Sequence, residues 1–346
     1  MNTPDTTFMM LAIQLAQRGL YTTKPNPCVG CVIVKDHKII AEGFHERAGE
    51  GHAEVNALAQ LKNIHEAKGA TAYVTLEPCC HTGKTAPCTD ALIKAGIARV
   101  VYGMEDPNPL VGGKGLQALR NAGIEVNGPL REKECRALNP GFIKRMQTGL
   151  PFVRCKLAMS LDGRTAMANG ESQWITGKEA REDVQRLRAQ SCAIITGIDT
   201  IVKDDPALTV RSESLPAIAK EKQPLRVVLD RQQRMPKEAR ILQQPGETLL
   251  IHDSDDLRSV LKMLADRQCN EVLIEAGATL AGAFVQQGLV DELLIYMAPT
   301  LLGSNARPLL QLPLEKMDQQ IKLDIAEIRK IGPDWRMIAL PARSEI

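Results

Sequence analysis

Aromatic side chains are scarce, at 3% of the 346 residues, and the charges nearly cancel to a net +2. The first shortage leaves few rings on which bases could stack, and the second leaves no basic field for a phosphate backbone, so no nucleic-acid partner is expected. No uninterrupted apolar run approaches the roughly 20 residues that cross a bilayer, so no membrane is expected either. A basic-then-apolar secretion signal is also missing. The nine cysteines are an odd count scattered along the chain. They make no disulfide framework, and a reducing cytoplasm is the expected compartment. No internal repeat stands out, and no Gly-x-Gly-x-x-Gly follows a strand, which removes support for a Rossmann site.

What is present centres on two stretches, His52-Ala53-Glu54 and Pro78-Cys79-Cys80-His81-Thr82-Gly83-Lys84-Thr85-Ala86-Pro87-Cys88. Imidazole and thiolate are ligands that zinc favours, and three protein ligands leave the fourth position open, as hydrolysis requires. Taken singly, His52 reads as a helix cap and each cysteine as a buried thiol. Together they make the zinc-deaminase arrangement, in which the glutamate moves protons and is not a ligand. His52, Cys79 and Cys88 are therefore the expected ligands of one zinc ion per chain, with Glu54 as the proton carrier. The spacing is unusual, because eight residues separate Cys79 from Cys88 where the common deaminase signature has two. Cys80 and His81 are rival ligands inside that loop. Cys28 and Cys31 form a second candidate pair, weakened by a β-branched strand without a knuckle turn, and a four-cysteine structural zinc is a minor alternative.

The length favours two domains. Phe8, Leu11, Ala12 and Leu15 recur at helical spacing, and Gly19 follows where such a helix would end. Residues 29–34 and 39–41 flank Asp36-His37-Lys38 as a hairpin. Residues 43–51 read as a glycine-rich loop that leads into a helix from His52. A strand at 72–76, a helix at 89–96, a strand at 99–103 and one more helix-strand pair before Arg145 predict an α/β layer with its strands in one sheet. The turn-prone stretch 147–151 marks the boundary, giving domains 1–147 and 148–346.

In the second half, 152–158 alternates as a strand, and Thr176 and Glu179 have capping-box spacing ahead of a charged helix through Arg188. Strands are expected at 193–196, 226–229, 248–251, 272–274 and 293–297, with helices at 257–266 and 279–287. The turn after Ile274 is made of small residues and opens a helix, whose free amides and dipole suit a pyrophosphate.

Further stretches carry a resemblance that covers nearly the whole chain. They are Pro25-Asn26-Pro27-Cys28-Val29-Gly30, Gly43-Phe44-His45, Thr75-Leu76-Glu77-Pro78-Cys79, Asp106-Pro107-Asn108-Pro109, Ser160-Leu161-Asp162-Gly163-Arg164, Glu171-Ser172-Gln173-Trp174-Ile175-Thr176, Asp204-Asp205-Pro206-Ala207-Leu208-Thr209 and Glu275-Ala276-Gly277. With His52-Ala53-Glu54, they closely resemble the bifunctional deaminase-reductase family of riboflavin biosynthesis, in which the long cysteine loop is the usual spacing. The resemblance implies an N-terminal cytidine-deaminase-like α/β/α domain followed by a C-terminal dihydrofolate-reductase-like α/β domain. The first would deaminate a diamino-pyrimidinone ribosylamino 5′-phosphate with zinc, and the second would reduce its ribosyl group to ribityl with NADPH.

Residue by residue, the resemblance places Asn26, His45, Lys84, Asp106 and Asn108 around the deaminase substrate. It places Ala158, Trp174, Thr200, Asp204 and the run Gly277, Ala278, Thr279, Leu280, Ala281, Gly282 and Ala283 around NADPH. Ser172, Arg188, Leu208, Arg211 and Glu275 fall at reductase substrate positions, with Arg188 and Arg211 suited to clamp a phosphate. Cys80, where the family more often has serine, and Ala86, which replaces a proline, depart from the pattern without removing a ligand. A small phosphorylated pyrimidine is the expected partner, and a homo-oligomer, with a dimer favoured, the expected assembly.

Overall fold

In the computed structural model, which describes residues 4–80, 86–109, 111–253 and 256–342, helix α1 (Pro4–Gln17) opens the chain. It buries Met9, Ala12, Ile13 and Ala16, whereas Phe8, Leu11 and Leu15 are only half-buried. The helical spacing is right, but the apolar face is rotated from the expected stripe, because the small Ala12 and Ala16 let the helix lie close on the sheet. The chain separates into two compact units, Met1–Gly149 and Leu150–Ile346.

In the first unit, β1 (Gly30–Lys35) and β2 (Lys38–Phe44) form an antiparallel hairpin. Asp36 and His37 both take positive φ, at 50° and 62°, which is the turn whose twist matches that of paired strands. β2 runs on through Gly43 and Phe44, which pair with Cys31 and Gly30, so these two residues are strand and not the loop their glycine predicts. Gly43 has a different task. A Cβ there would stand 2.4 Å from the Ala57 amide nitrogen, so only glycine lets helix α2 (Ala53–Leu58) pack on the strand.

The unit continues with β3 (Thr71–Val74), α3 (Cys88–Ala95), β4 (Arg99–Tyr102), α4 (Lys114–Asn121) and β5 (Glu125–Asn127), then α5 (Glu132–Ala137) and α6 (Pro140–Thr148). The sheet order is β2-β1-β3-β4-β5, with β3, β4 and β5 parallel. The expected α/β layer is present, with the extra pair α5 and α6.

The second unit begins with β6 (Phe152–Ser160), β7 (Arg164–Ala166), α7 (Lys178–Gln190), β8 (Ala193–Gly197), α8 (Ile198–Asp204), α9 (Ile218–Glu221) and β9 (Leu225–Leu229). It continues through β10 (Thr248–Ile251), α10 (Leu257–Asp266), β11 (Glu271–Ile274), α11 (Ala278–Gln286), β12 (Glu292–Ala298) and β13 (Arg307–Pro308), and closes on β14 (Leu323–Ile331) and β15 (Asp334–Pro341). The eight-stranded order is β10-β9-β8-β11-β6-β12-β15-β14, and β7 pairs only with β13. The first six strands are parallel, and β15 runs antiparallel to both of its neighbours, β12 and β14. Helix α11 lays the fully buried Ala281 and Phe284 on this sheet, and a side chain of the size of Phe284 gains about 1.5–3 kcal/mol on burial.

One further expectation is corrected here. The capping box at Thr176 does not form: the cap of α7 is Gly177, whose N–H donates to Asp334 Oδ2 at 2.7 Å. Glu179 instead lies against Gly332, so the turn between β14 and β15 supplies what a local cap would have. That hairpin was not anticipated, because a register shift between Ile325 and Glu327 breaks the alternation of β14.

Candidate functional site

In the first unit β3 and α2 converge on one point. His52 caps α2 from an extended backbone and Glu54 lies in its first turn, while Cys79 follows β3 and Cys88 opens α3. The three donors His52 Nδ1, Cys79 Sγ and Cys88 Sγ lie within 4.8 Å of one another and are the only such metal-ligating group among the described residues. His52 Nδ1 is 3.2 Å from Cys88 Sγ and 3.5 Å from Cys79 Sγ. The Cys88 hydrogen bond, followed by that of His52, holds the Cys79 thiol well below the ordinary thiol range, against the opposing pull of burial, while the same Cys88 bond and burial push Cys88 up. Two thiols thus share one proton in a place where a dication would take both thiolates, so the donor set fits zinc. Cys80 is outside the group, and Cys28 meets Thr23 Oγ1 at 3.3 Å. His81 and Lys84 lie outside the described residues.

Glu54 is 3% exposed. Burial first, with the charge of Cys79 adding to it, pushes its carboxyl up to about 7, close to where a proton carrier works best. His45 is buried beside His52, the rings meeting edge-on with centroids 5.4 Å apart. His45 Nδ1 donates to Gly51 O at 3.0 Å, which leaves Nε2 to accept from Asn26 Nδ2 at 3.1 Å. Burial lowers the His45 pKa, consistent with that neutral form.

Glu77 completes the surroundings, a residue whose role the sequence did not disclose. Its buried carboxylate accepts from the N–H groups of Asp106, Gly113 and Gly115 at 3.1, 2.9 and 2.8 Å. It thereby ties the Asp106-to-Asn108 turn, where Asn108 N–H donates to Asp106 Oδ1 at 2.8 Å, to the strand end that carries Cys79. A Cβ on Gly115, in the first turn of α4, would fall 2.0 Å from Pro78 O, so this position also requires a glycine.

In the second unit a cleft of ≈ 2170 Å³ opens at the carboxyl ends of the parallel strands, where open α/β sheets bind ligands. Ala158, Ser172, Trp174, Thr200, Asp204, Leu208, Arg188, Arg211 and Glu275 all line it, as do Gly277, Ala278, Thr279, Leu280 and Ala283. Ala281 and Gly282 do not; they face the buried side of α11. Gly277 caps α11 and the first return bond is Ala281 N–H to Gly277 O, so the amides of the first turn lie at the cleft without a helical partner. Ser172 Oγ reaches Asp204 Oδ1 at 3.4 Å, and Arg181 stacks over the Trp174 ring at 4.6 Å. Leu208 is buried at φ 48°, a strained backbone of the kind found beside ligands.

Arg188 is largely consumed within the protein. Its Nε and one terminal nitrogen donate to the two oxygens of Glu275 at 2.6 and 2.9 Å, and the other terminal nitrogen donates to Thr209 O at 3.1 Å. Arg211 has no such ion pair among the described residues, and burial, then Arg188 and Arg240, lower its pKa. A guanidinium crowded by two others is poised for an anion. Lys156, missed from sequence, lines the same cleft from β6; burial lowers its pKa and nearby Glu275 opposes this. The available signal was a lysine within a central strand, where parallel sheets are apolar.

The comparisons agree with this division. Residues 2–104 match the family described as the cytidine and deoxycytidylate deaminase zinc-binding region, and residues 151–337 match the RibD C-terminal domain. Over 95% of its length the chain is 52% identical to riboflavin biosynthesis protein RibD of Escherichia coli strain K12, covering 97% of that protein. It is 46% identical to the Haemophilus influenzae protein of the same name, with 97% of each covered. Among solved structures, one form of Acinetobacter baumannii RibD superposes with a TM-score of 0.94 at 50% identity, covering 98% of this chain and 99% of that one. The diaminohydroxyphosphoribosylaminopyrimidine deaminase/5-amino-6-(5-phosphoribosylamino)uracil reductase of Thermotoga maritima superposes at 0.90 with 33% identity and the same coverages. A zinc-binding deaminase region and a dihydrofolate-reductase-like domain thus stand in one order along one chain, and the chain belongs to the RibD family, the bifunctional deaminase-reductases of riboflavin biosynthesis.

Proposed function

We propose that the first unit deaminates 2,5-diamino-6-(ribosylamino)-4(3H)-pyrimidinone 5′-phosphate and that the second reduces the ribosyl group of the product to ribityl with NADPH. The observation that carries the first step is the convergence of His52, Cys79 and Cys88 beside the buried Glu54. Zinc, when bound, supplies a Lewis acid that makes hydroxide available near neutral pH. The chain does the rest. Glu54 takes the proton of the attacking water and delivers it towards the leaving amine, so that water and the ring C–NH₂ become C=O and ammonia. Asn26 and His45, fixed by their mutual hydrogen bond, present polar edges to the pyrimidine, as do Asp106 and Asn108, held through Glu77. Lys84, by its family position, adds a cation for the substrate.

In the second unit NADPH supplies the hydride. The amides at the start of α11 cradle its pyrophosphate, and Trp174, Ala158, Thr200 and Asp204 line its path. Lys156 is placed to give a proton to the new alkoxide. Arg211 takes the substrate phosphate, and Arg188 chiefly holds Glu275 in position. Arg211→Ala should therefore raise the KM for the deaminated substrate about 10- to 100-fold, the value of one charge-assisted contact, with NADPH affinity unchanged. Equal losses for substrate and NADPH in a binding titration would remove Arg211 from that role.

The products decide the whole reading. Ammonia should appear from the diamino substrate without NADPH, and NADPH should be oxidised only when the deaminated product is present. Oxidation without ammonia release, or ammonia release with no subsequent oxidation, would sink one half of it. We place the homodimer contact on β14, an edge strand that exposes Ile325 and Ile328, since an open edge of this length invites a second strand. Sedimentation at the mass of one chain would remove that assembly.

A further inference from the structure

Asn139 lies between the two matched regions, 2–104 and 151–337, yet its side chain reaches the loop that carries Asn26. It sits at the cap of α6, where an asparagine ordinarily accepts from an amide of the helix's own first turn. It makes no such bond. Its amide pairs instead with both backbone groups of a residue 111 positions away: Cys28 N–H donates to Asn139 Oδ1 at 2.7 Å, and Asn139 Nδ2 donates to Cys28 O at 2.8 Å. Asn139 is 6% exposed and Cys28 5%, so the amide stands in for the water that these two backbone groups have lost.

The clasped residue follows Asn26 by two positions. Asn26 N–H donates to Thr23 O at 2.8 Å, and Cys28 Sγ meets Thr23 Oγ1 at 3.3 Å, so residues 23–28 turn as one piece. On the other side of Cys28, Val29 O accepts the His45 N–H at 2.9 Å. Beyond it, Gly30 N–H donates to the buried Thr75 Oγ1 at 3.1 Å. The stretch that Asn139 clasps therefore sets both members of the Asn26–His45 pair, whose 3.1 Å contact stands beside His52.

We propose that Asn139 positions Asn26 for the pyrimidine by clasping Cys28, so that α6, outside the matched deaminase region, helps to set the substrate site. The proposal rests on the deaminase reading given above. An amide matches the donor and acceptor of a peptide at once, and a displacement of about 1 Å in a substrate contact costs about 100-fold.

A double-mutant cycle on the full chain, read as ammonia release from the diamino substrate, tests it. Asn26→Ala and Asn139→Ala should each lower kcat/KM about 10- to 100-fold. The double variant should lose no more than about twofold beyond Asn26→Ala alone, because Asn139 acts through Asn26. The cycle is run in parallel with Asn139→Asp, which keeps an acceptor for Cys28 N–H and lacks the amide's donor, so that poor folding of the alanine variant does not end the test. Every variant should hold zinc as the wild type does and oxidise NADPH normally when given the deaminated product. Losses that multiply in the double variant, single variants within about twofold of wild type, or zinc lost from both Asn139 variants would overturn the assignment and leave the deaminase reading standing. A wild type that releases no ammonia overturns both.

Discussion

Glu54→Gln is expected to lower ammonia release by roughly 10²- to 10⁴-fold, the usual worth of a positioned proton carrier, with zinc content and NADPH affinity as in the wild type. The amide has the shape of the carboxylate and can still hydrogen-bond, but it cannot accept a proton and return it. The three donors His52, Cys79 and Cys88 are untouched by the change, and Glu54 is not among the clustered donors. Ammonia and bound metal are measured on the same preparation. Release within about tenfold of wild type would take Glu54 out of the reaction, and loss of zinc would show that it had been a ligand after all.

Arg188→Ala is expected to cost the second unit about 3–5 kcal/mol, because it leaves Glu275 buried without its partner. The Glu275 side chain is 9% exposed and Arg188 10%. Burial alone would raise the carboxyl, but Arg188 and then Lys156 more than offset it, so its folded value lies below the ordinary 4.5. A depressed carboxylate contributes stability above its unfolded pKa and loses it as pH falls through the folded value. The wild-type contribution is therefore complete at neutral pH. Without Arg188 the buried carboxyl must rise, and the folded variant then gains by taking up a proton, so its deficit should be largest near pH 8 and smaller near pH 5. Both tryptophans, Trp174 and Trp335, lie in the second unit, which makes fluorescence during urea unfolding a direct probe. A deficit below about 1 kcal/mol would mean that the pair is not structural and would return Arg188 to the phosphate clamp.

Much of this was legible in the chain, and the reasons differ by residue. Strands such as β10 and β11 are short apolar runs bounded by turns, and α10 has strong helical periodicity, so their positions follow from local pattern. The zinc site is legible because imidazole, carboxylate and thiol in that order have few other uses together. What stayed hidden depends on distant partners. The cap of α7 is set by Asp334, 157 positions away, and the burial of Glu77 by amides more than thirty positions on. Arg188 read as a phosphate ligand because its spacing cannot reveal that Glu275 already occupies it. Lys156 was passed over as one polar residue in an alternating strand, although no surface explains a lysine at the centre of a parallel sheet.

An open zinc centre held by His52, Cys79 and Cys88 is tested most directly by zinc K-edge X-ray absorption of the purified chain. Two sulfur ligands and two lighter ones should be found, one nitrogen from His52 and one exchangeable oxygen, with the same spectrum after Cys80→Ser. A third sulfur that vanishes in Cys80→Ser, or a shell closed by protein atoms alone, would contradict it.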